Sequence, residues 1–157
     1  GKLSAGIFQA DTINTPSMLC VEDYIDGLNY AKNLSFGGKT GLQACLAKSQ
    51  ANLDAVAKFV AKHDWVDFLP VKPEIRSCTS ICLKITADWF KQLSAEDQSA
   101  WCKKVVSALD SEGVAKDFGA YRDAPPGFRF WGGPTVEPAD MAIALDWLAW
   151  AYEANKK

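Results

Sequence analysis

The chain has 157 residues, which suits one domain or one small domain with a connecting piece. Hydrophobic residues make up 48% and charged residues 23%, so a packed core is attainable and disorder is excluded as the general state. A net charge of -2 and the absence of a basic cluster speak against nucleic acid or an acidic membrane surface as partner.

Residues 1–11 read as an irregular or short extended lead-in. From Ser17 to about Asn33, Val21, Ile25 and Leu28 fall at helical spacing, with Met18 and Tyr24 beside them. Thr15 suits the N-cap and Pro16 the first turn. Phe36-Gly37-Gly38 breaks this helix. A second helix runs from about Thr40 to Lys62, with Leu42, Leu46, Leu53, Val56 and Val60 as its apolar stripe. His63-Asp64 ends it, and Trp65 to Leu69 is short and apolar enough for a strand.

Pro70 and Pro73 mark a loop. Ser77 to Ile85 then alternates: Thr79, Ile81, Leu83 and Ile85 face one way, Cys78, Ser80, Cys82 and Lys84 the other. Ser94-Ala95-Glu96-Asp97 resembles a capping box and opens a helix to about Glu112, with Gly113 as its stop. Two short strands are predicted near Val114–Gly119 and Phe128–Trp131, separated by the turn Asp123-Ala124-Pro125-Pro126-Gly127. Pro138 starts a final helix to about Asn155, burying Met141, Leu145, Leu148 and Tyr152, with Trp147 and Trp150 broadening the face. This order predicts an α+β fold: a small, mostly antiparallel sheet with helices packed on one face. A soft boundary near Gly37-Gly38 leaves the first helix free to serve as a connector.

Catalytic constellations are scarce. His63 is the one histidine, placed at a helix end where a cation suits the dipole, so hydrolytic triads have little support. Cysteines 20, 45, 78, 82 and 102 form no Cys-x-x-Cys pair, which argues against a disulfide framework or a zinc site and fits a reducing compartment. On one strand, Cys78 and Cys82 would lie ~13 Å apart, beyond disulfide reach. No apolar stretch approaches the ~18 residues a membrane span needs. The opening GKLSAGIFQ lacks a signal-peptide pattern and does not read like the start of a folded domain. Six Trp and eight Phe are many for this length, and some suit an interface.

Two places stand out. Asn14-Thr15-Pro16-Ser17 is either a helix cap alone or, with helix N–H groups behind it, a site for phosphate or carboxylate. The second is Tyr121-Arg122 with Phe128-Arg129. An arginine within an aromatic strand needs a partner, either an interior acid or the carboxylate of a ligand gripped in bidentate fashion.

The stretches GKLSAGIFQADTINTPSMLCVEDYIDGLNYAK, DWVDFLPVKPEIRSCTSICLKI and AYRDAPPGFRFWGGPTVEPADMAIALDWLAWAYE resemble the C-terminal part of phosphoserine aminotransferase. That family is a fold-type I, class V pyridoxal-phosphate enzyme. It acts as a cytoplasmic homodimer in serine biosynthesis, between glutamate and 3-phosphohydroxypyruvate.

The resemblance implies that residues 1–36 are the end of a large domain and a connecting helix, and 37–157 a small C-terminal domain. It implies that Asn14 and Thr15 reach across the dimer to the cofactor phosphate held by the other subunit. Arg129 would bind the substrate α-carboxylate. Tyr121-Arg122 stands where relatives carry a His-Arg pair that helps hold the substrate phosphate. Gly132-Gly133-Pro134 departs from the family's small-residue pattern ahead of Thr-Val-Glu. The Schiff-base lysine, the aromatic residue stacked on the cofactor and the Asp at its ring nitrogen lie upstream in the family's large domain. Lys2, Lys32 and Lys39 do not match that lysine's motif. No catalytic residue and no metal ligand is therefore assigned here. Pyridoxal phosphate is expected in the complete enzyme rather than on this chain alone, and the partners are a second subunit, the large domain and a small-molecule substrate. The alternative is a non-catalytic dimerisation or anion-binding module derived from the same domain.

Overall fold

The computed structural model describes residues 4–12 and 14–156; the expectations for residues 1–3, Lys2 included, fall outside them. The lead-in forms a 3-10 turn, Ala5–Gln9. Helix α1 is Met18–Asn33, with Ser17 and not Thr15 in the N-cap position and no side-chain capping bond there, so Pro16 precedes the helix instead of opening it. Ser and Thr are comparable caps, and residue type could not separate them.

Gly37-Gly38 does more than break a helix. Strands β1 (Ser35–Phe36) and β2 (Lys39–Thr40) pair antiparallel around it. Both glycines have positive φ, 57° and 74°, the pairing that the tightest hairpin turn requires.

Helix α2 is Gly41–Lys62, and the predicted stripe holds only in its second half, where Val56 is buried and Leu53 and Val60 pack against the core. Leu42 and Leu46 are 69% and 52% exposed. In their place Ala44, Cys45, Lys48, Ser49 and Asn52 are buried in the first half, and Phe59 joins Val56 in the second. The reason is local chemistry: the first half of α2 packs through hydrogen bonds and small residues, which hydrophobic periodicity does not register. Asn52 Nδ2 donates to the carbonyls of Gly132, Gly133 and Val136 at 3.0–3.2 Å. Lys48 pairs with Glu137, and Tyr30 of α1 donates to the Pro134 carbonyl at 2.7 Å. The loop containing the Gly132-Gly133-Pro134 departure is thus pinned to both helices.

Strands β3 (Val66–Phe68), β4 (Ser80–Ile85) and β5 (Gly127–Trp131) form an antiparallel sheet in the order β3-β4-β5. The β4 alternation holds: Ile81, Leu83 and Ile85 are buried and their neighbours half-buried. A short helix, α3 (Asp88–Lys91), was not expected. Helix α4 (Ala95–Ser111) opens on Ser94, whose Oγ accepts from the Asp97 N–H at 3.1 Å.

The predicted strand at 114–119 does not form. The Val114 N–H closes the end of α4 by donating to the Leu109 carbonyl at 3.0 Å, so it cannot join a ladder. A single bridge, Gly119 with Phe128, is what remains. Helix α5 (Pro138–Asn155) buries Met141, Leu145, Leu148 and Tyr152 as expected.

The core lies between the sheet and the helices. Ile81, Leu83, Phe128 and Phe130 meet Val56 of α2, Val105 and Leu109 of α4, and Leu145 and Leu148 of α5. Each such side chain contributes roughly 1.5–3 kcal/mol by leaving water. Much of the aromatic content is spent here: Trp65 stacks on Tyr152 with centroids 3.8 Å apart, and the Trp101 indole donates to the Asn155 carbonyl at 2.8 Å. The α+β architecture is as the element order implied.

Candidate functional site

Strand alternation decides where Arg129 sits. Phe128 and Phe130 point into the helix-packed core, so Arg129 between them lies on the opposite face of β5, beside Cys82 of β4 in register. The turn before β5 must end in glycine here. A Cβ on Gly127 would lie 2.2 Å from the Leu83 carbonyl oxygen, so only glycine lets β5 approach β4 at this point.

The Arg129 side chain is nonetheless mostly covered, at 11% exposure. The segment after α4 and the turn before β5 do the covering. Phe118 anchors the first of these: its carbonyl accepts from the Arg129 N–H at 3.0 Å, and its ring packs edge-on against Phe130 at 4.4 Å. That anchoring brings Asp117 to Arg129, with Nη2 donating to Oδ2 at 2.6 Å. The guanidinium lies over the Tyr121 ring, 4.4 Å from its centroid, where the ring face attracts a cation. Nε of Arg129 is buried and has no hydrogen-bond partner among the described residues.

The structure therefore brings Arg129 and Tyr121 together. It adds Asp117, which carried no sequence signal: it sits in what was read as strand. Arg122 points elsewhere. It is exposed and lines a cavity of about 260 Å³ with Tyr121, Ser99 and Lys103. Cys102 borders the same cavity but is a poor nucleophile, because burial pushes its thiol up to about 12.

Asn14 and Thr15 are exposed, just ahead of α1. Ser17 makes no side-chain capping bond and the first turn carries no acid. The donors there, an amide, a hydroxyl and helix N–H groups, suit an anion in kind. Among the described residues, no hydrogen bond joins Asn14 or Thr15 to Tyr121, Arg122 or Arg129.

His63 stands against Phe59 at 4.4 Å and Trp65 at 5.8 Å, a packing position. Among the described residues, no helix is long and apolar enough to cross a membrane, and no group of three His, Cys, Asp or Glu side chains converges as metal ligands.

A small α+β unit that holds a guanidinium on the outer face of its sheet has the makings of an anion receptor. Over nearly its full length this chain matches the C-terminal portion of phosphoserine aminotransferase. The protein of that name from Methanosarcina mazei is 40% identical over 156 residues, 99% of this chain and 38% of the relative. The one from Methanosarcina barkeri is 41% identical over 156 residues, with the same shares. The chain thus spans well under half the length of these curated relatives. No family model matches it.

Proposed function

We propose that this chain is the small C-terminal part of a phosphoserine aminotransferase, in which residues 37–157 form the small domain and residues 1–36 connect it to a large one. The observation that carries this reading is Arg129: a mostly covered side chain on the non-core face of the sheet, its guanidinium seated on an aromatic ring, with Nε unpaired among the described residues. Such a group binds a carboxylate through paired N–H donors. Its role is to receive the substrate α-carboxylate and so orient the amino or keto carbon. Arg122, from the cavity it lines beside Tyr121, would help hold the substrate phosphate.

Asn14 and Thr15 would hold the phosphate of pyridoxal phosphate bound in a second subunit. The exposed, uncapped start of α1 fits that donor role. The cofactor supplies the electron sink for amino-group transfer. The lysine that carries it belongs, on this reading, to the large domain. The protein works as a homodimer in the cytoplasm, in serine biosynthesis.

The chain by itself, mixed with pyridoxal phosphate, L-glutamate and 3-phosphohydroxypyruvate, is expected to give no phosphoserine. Adding a matching large domain should give a yellow protein with turnover that Arg129→Lys lowers at least tenfold. Turnover by the chain alone, or none from the reconstituted pair, contradicts the reading.

One observation favours a second reading, a non-catalytic dimerisation or anion-binding module. Leu19, Leu28, Leu42 and Leu46 are all exposed on α1 and α2. A stable dimer of this chain that binds phosphate and fails to complement would support it.

A further inference from the structure

Arg129 is held by half a grip. A guanidinium offers Nε–H and Nη2–H along one edge, spaced to meet both oxygens of a single carboxylate. Asp117 engages Nη2 at 2.6 Å, while Nε on the same edge is buried without a partner among the described residues. The Asp117 side chain is 79% exposed, so water competes for it and the pair is weak.

We propose that Asp117 is a built-in stand-in for the ligand carboxylate, holding Arg129 between ligands and yielding when a carboxylate takes both donors. This rests on the reading of Arg129 as a carboxylate receptor and goes on to say how that receptor is kept and opened.

The exchange is local. Phe118 stays tied to β5 through the Arg129 N–H, the Gly119–Phe128 bridge and the Phe130 ring, so Asp117 leaves by turning its side chain outward. Tyr121 stays beneath the guanidinium and keeps its plane oriented. The incoming carboxylate gains the bond that Asp117 leaves unmade, and a buried donor without an acceptor is costly enough to drive the exchange. Asp117 also cancels the charge of Arg129. An anion that cannot use both N–H groups has little to gain by displacing it. A phosphate could take both donors as well, but on this reading the ligand phosphate is held at Arg122, so the carboxylate is the group that displaces Asp117, and Asp117 acts as a specificity residue for it.

The test exploits the fact that the chain has three arginines, Arg76, Arg122 and Arg129. With ¹⁵N-labelled arginine, their Nε–H resonances can be followed separately, and Arg129→Lys assigns the third. The probes are O-phospho-L-serine and O-phosphoethanolamine, which differ by the carboxylate. O-phospho-L-serine should move the Arg129 resonance and O-phosphoethanolamine should not. Asp117→Asn should bind O-phospho-L-serine about three- to fivefold tighter, the strength of an exposed ion pair. Its melting should match that of the parent.

Equal or weaker binding by Asp117→Asn, with Arg129 still responding, overturns the stand-in and leaves the receptor reading intact. A comparable response of Arg129 to O-phosphoethanolamine overturns it too. An Arg129 resonance that ignores O-phospho-L-serine in both folded proteins removes the receptor reading, and the stand-in with it.

Discussion

Helices α1 and α5 are close in length and both carry an apolar stripe, though α5 is the more apolar of the two. Helix α5 buries five residues and α1 none. Met18, Leu19, Tyr24 and Leu28 of α1 are all at least half exposed, as are Leu42 and Leu46 on the α2 it packs against. What holds α1 is α2 itself and a few polar links, among them Tyr30 to the Pro134 carbonyl. The contrast teaches that apolar periodicity marks a face that wants burial, not what buries it. Helix α5 finds its cover within this chain and α1 does not.

The sharpest way to break this contrast is to truncate each helix at a leucine. Leu148 of α5 is fully buried, so Leu148→Ala should lower unfolding stability by about 2–5 kcal/mol in urea titration. A loss under ~1 kcal/mol would mean the core is looser than the packing implies. Next comes the polar junction that ties α2 to the loop after β5. Asn52→Ala removes the side-chain donor shared by three carbonyls, of which only Gly133 keeps another, the Val136 N–H, and stability should fall by about 1–3 kcal/mol. The smallest effect belongs to α1. Leu28 is 51% exposed, and Leu28→Ala should stay within about 0.5 kcal/mol of the parent. A larger loss would show that α1 is buried in solution, for instance in a dimer, and a shift with protein concentration would identify that case.

Where a local rule and the global packing agree, the fold was legible in the sequence. The Ser94 cap, the β4 alternation and the α5 stripe are of this kind. Three features were not. Leu42 and Leu46 imitate a core stripe, while the true contact face of α2 is carried by Asn52 and Lys48, whose burial depends on carbonyls and an acid some 80–90 positions away. The 114–119 segment has strand composition but gives its first N–H to a helix end. At the candidate site, Arg129 was legible as an arginine in need of a partner, and the acid of the two answers offered for it is the one found here. Asp117 is the acid, though exposed and not interior, and Nε, without a partner among the described residues, is a donor still to be used. Asp117 itself was invisible, because only the Phe118 anchor brings it across to β5.

The central claim is that this chain is a finished core carrying an unfinished face. Amide hydrogen exchange, resolved by residue, tests it most directly. The account predicts that amides from Leu145 to Tyr152 in α5 exchange only through global unfolding, whereas those of α1 between Val21 and Tyr30 exchange orders of magnitude faster by local opening. Protection of α1 equal to that of α5, in monomeric chain, would contradict it.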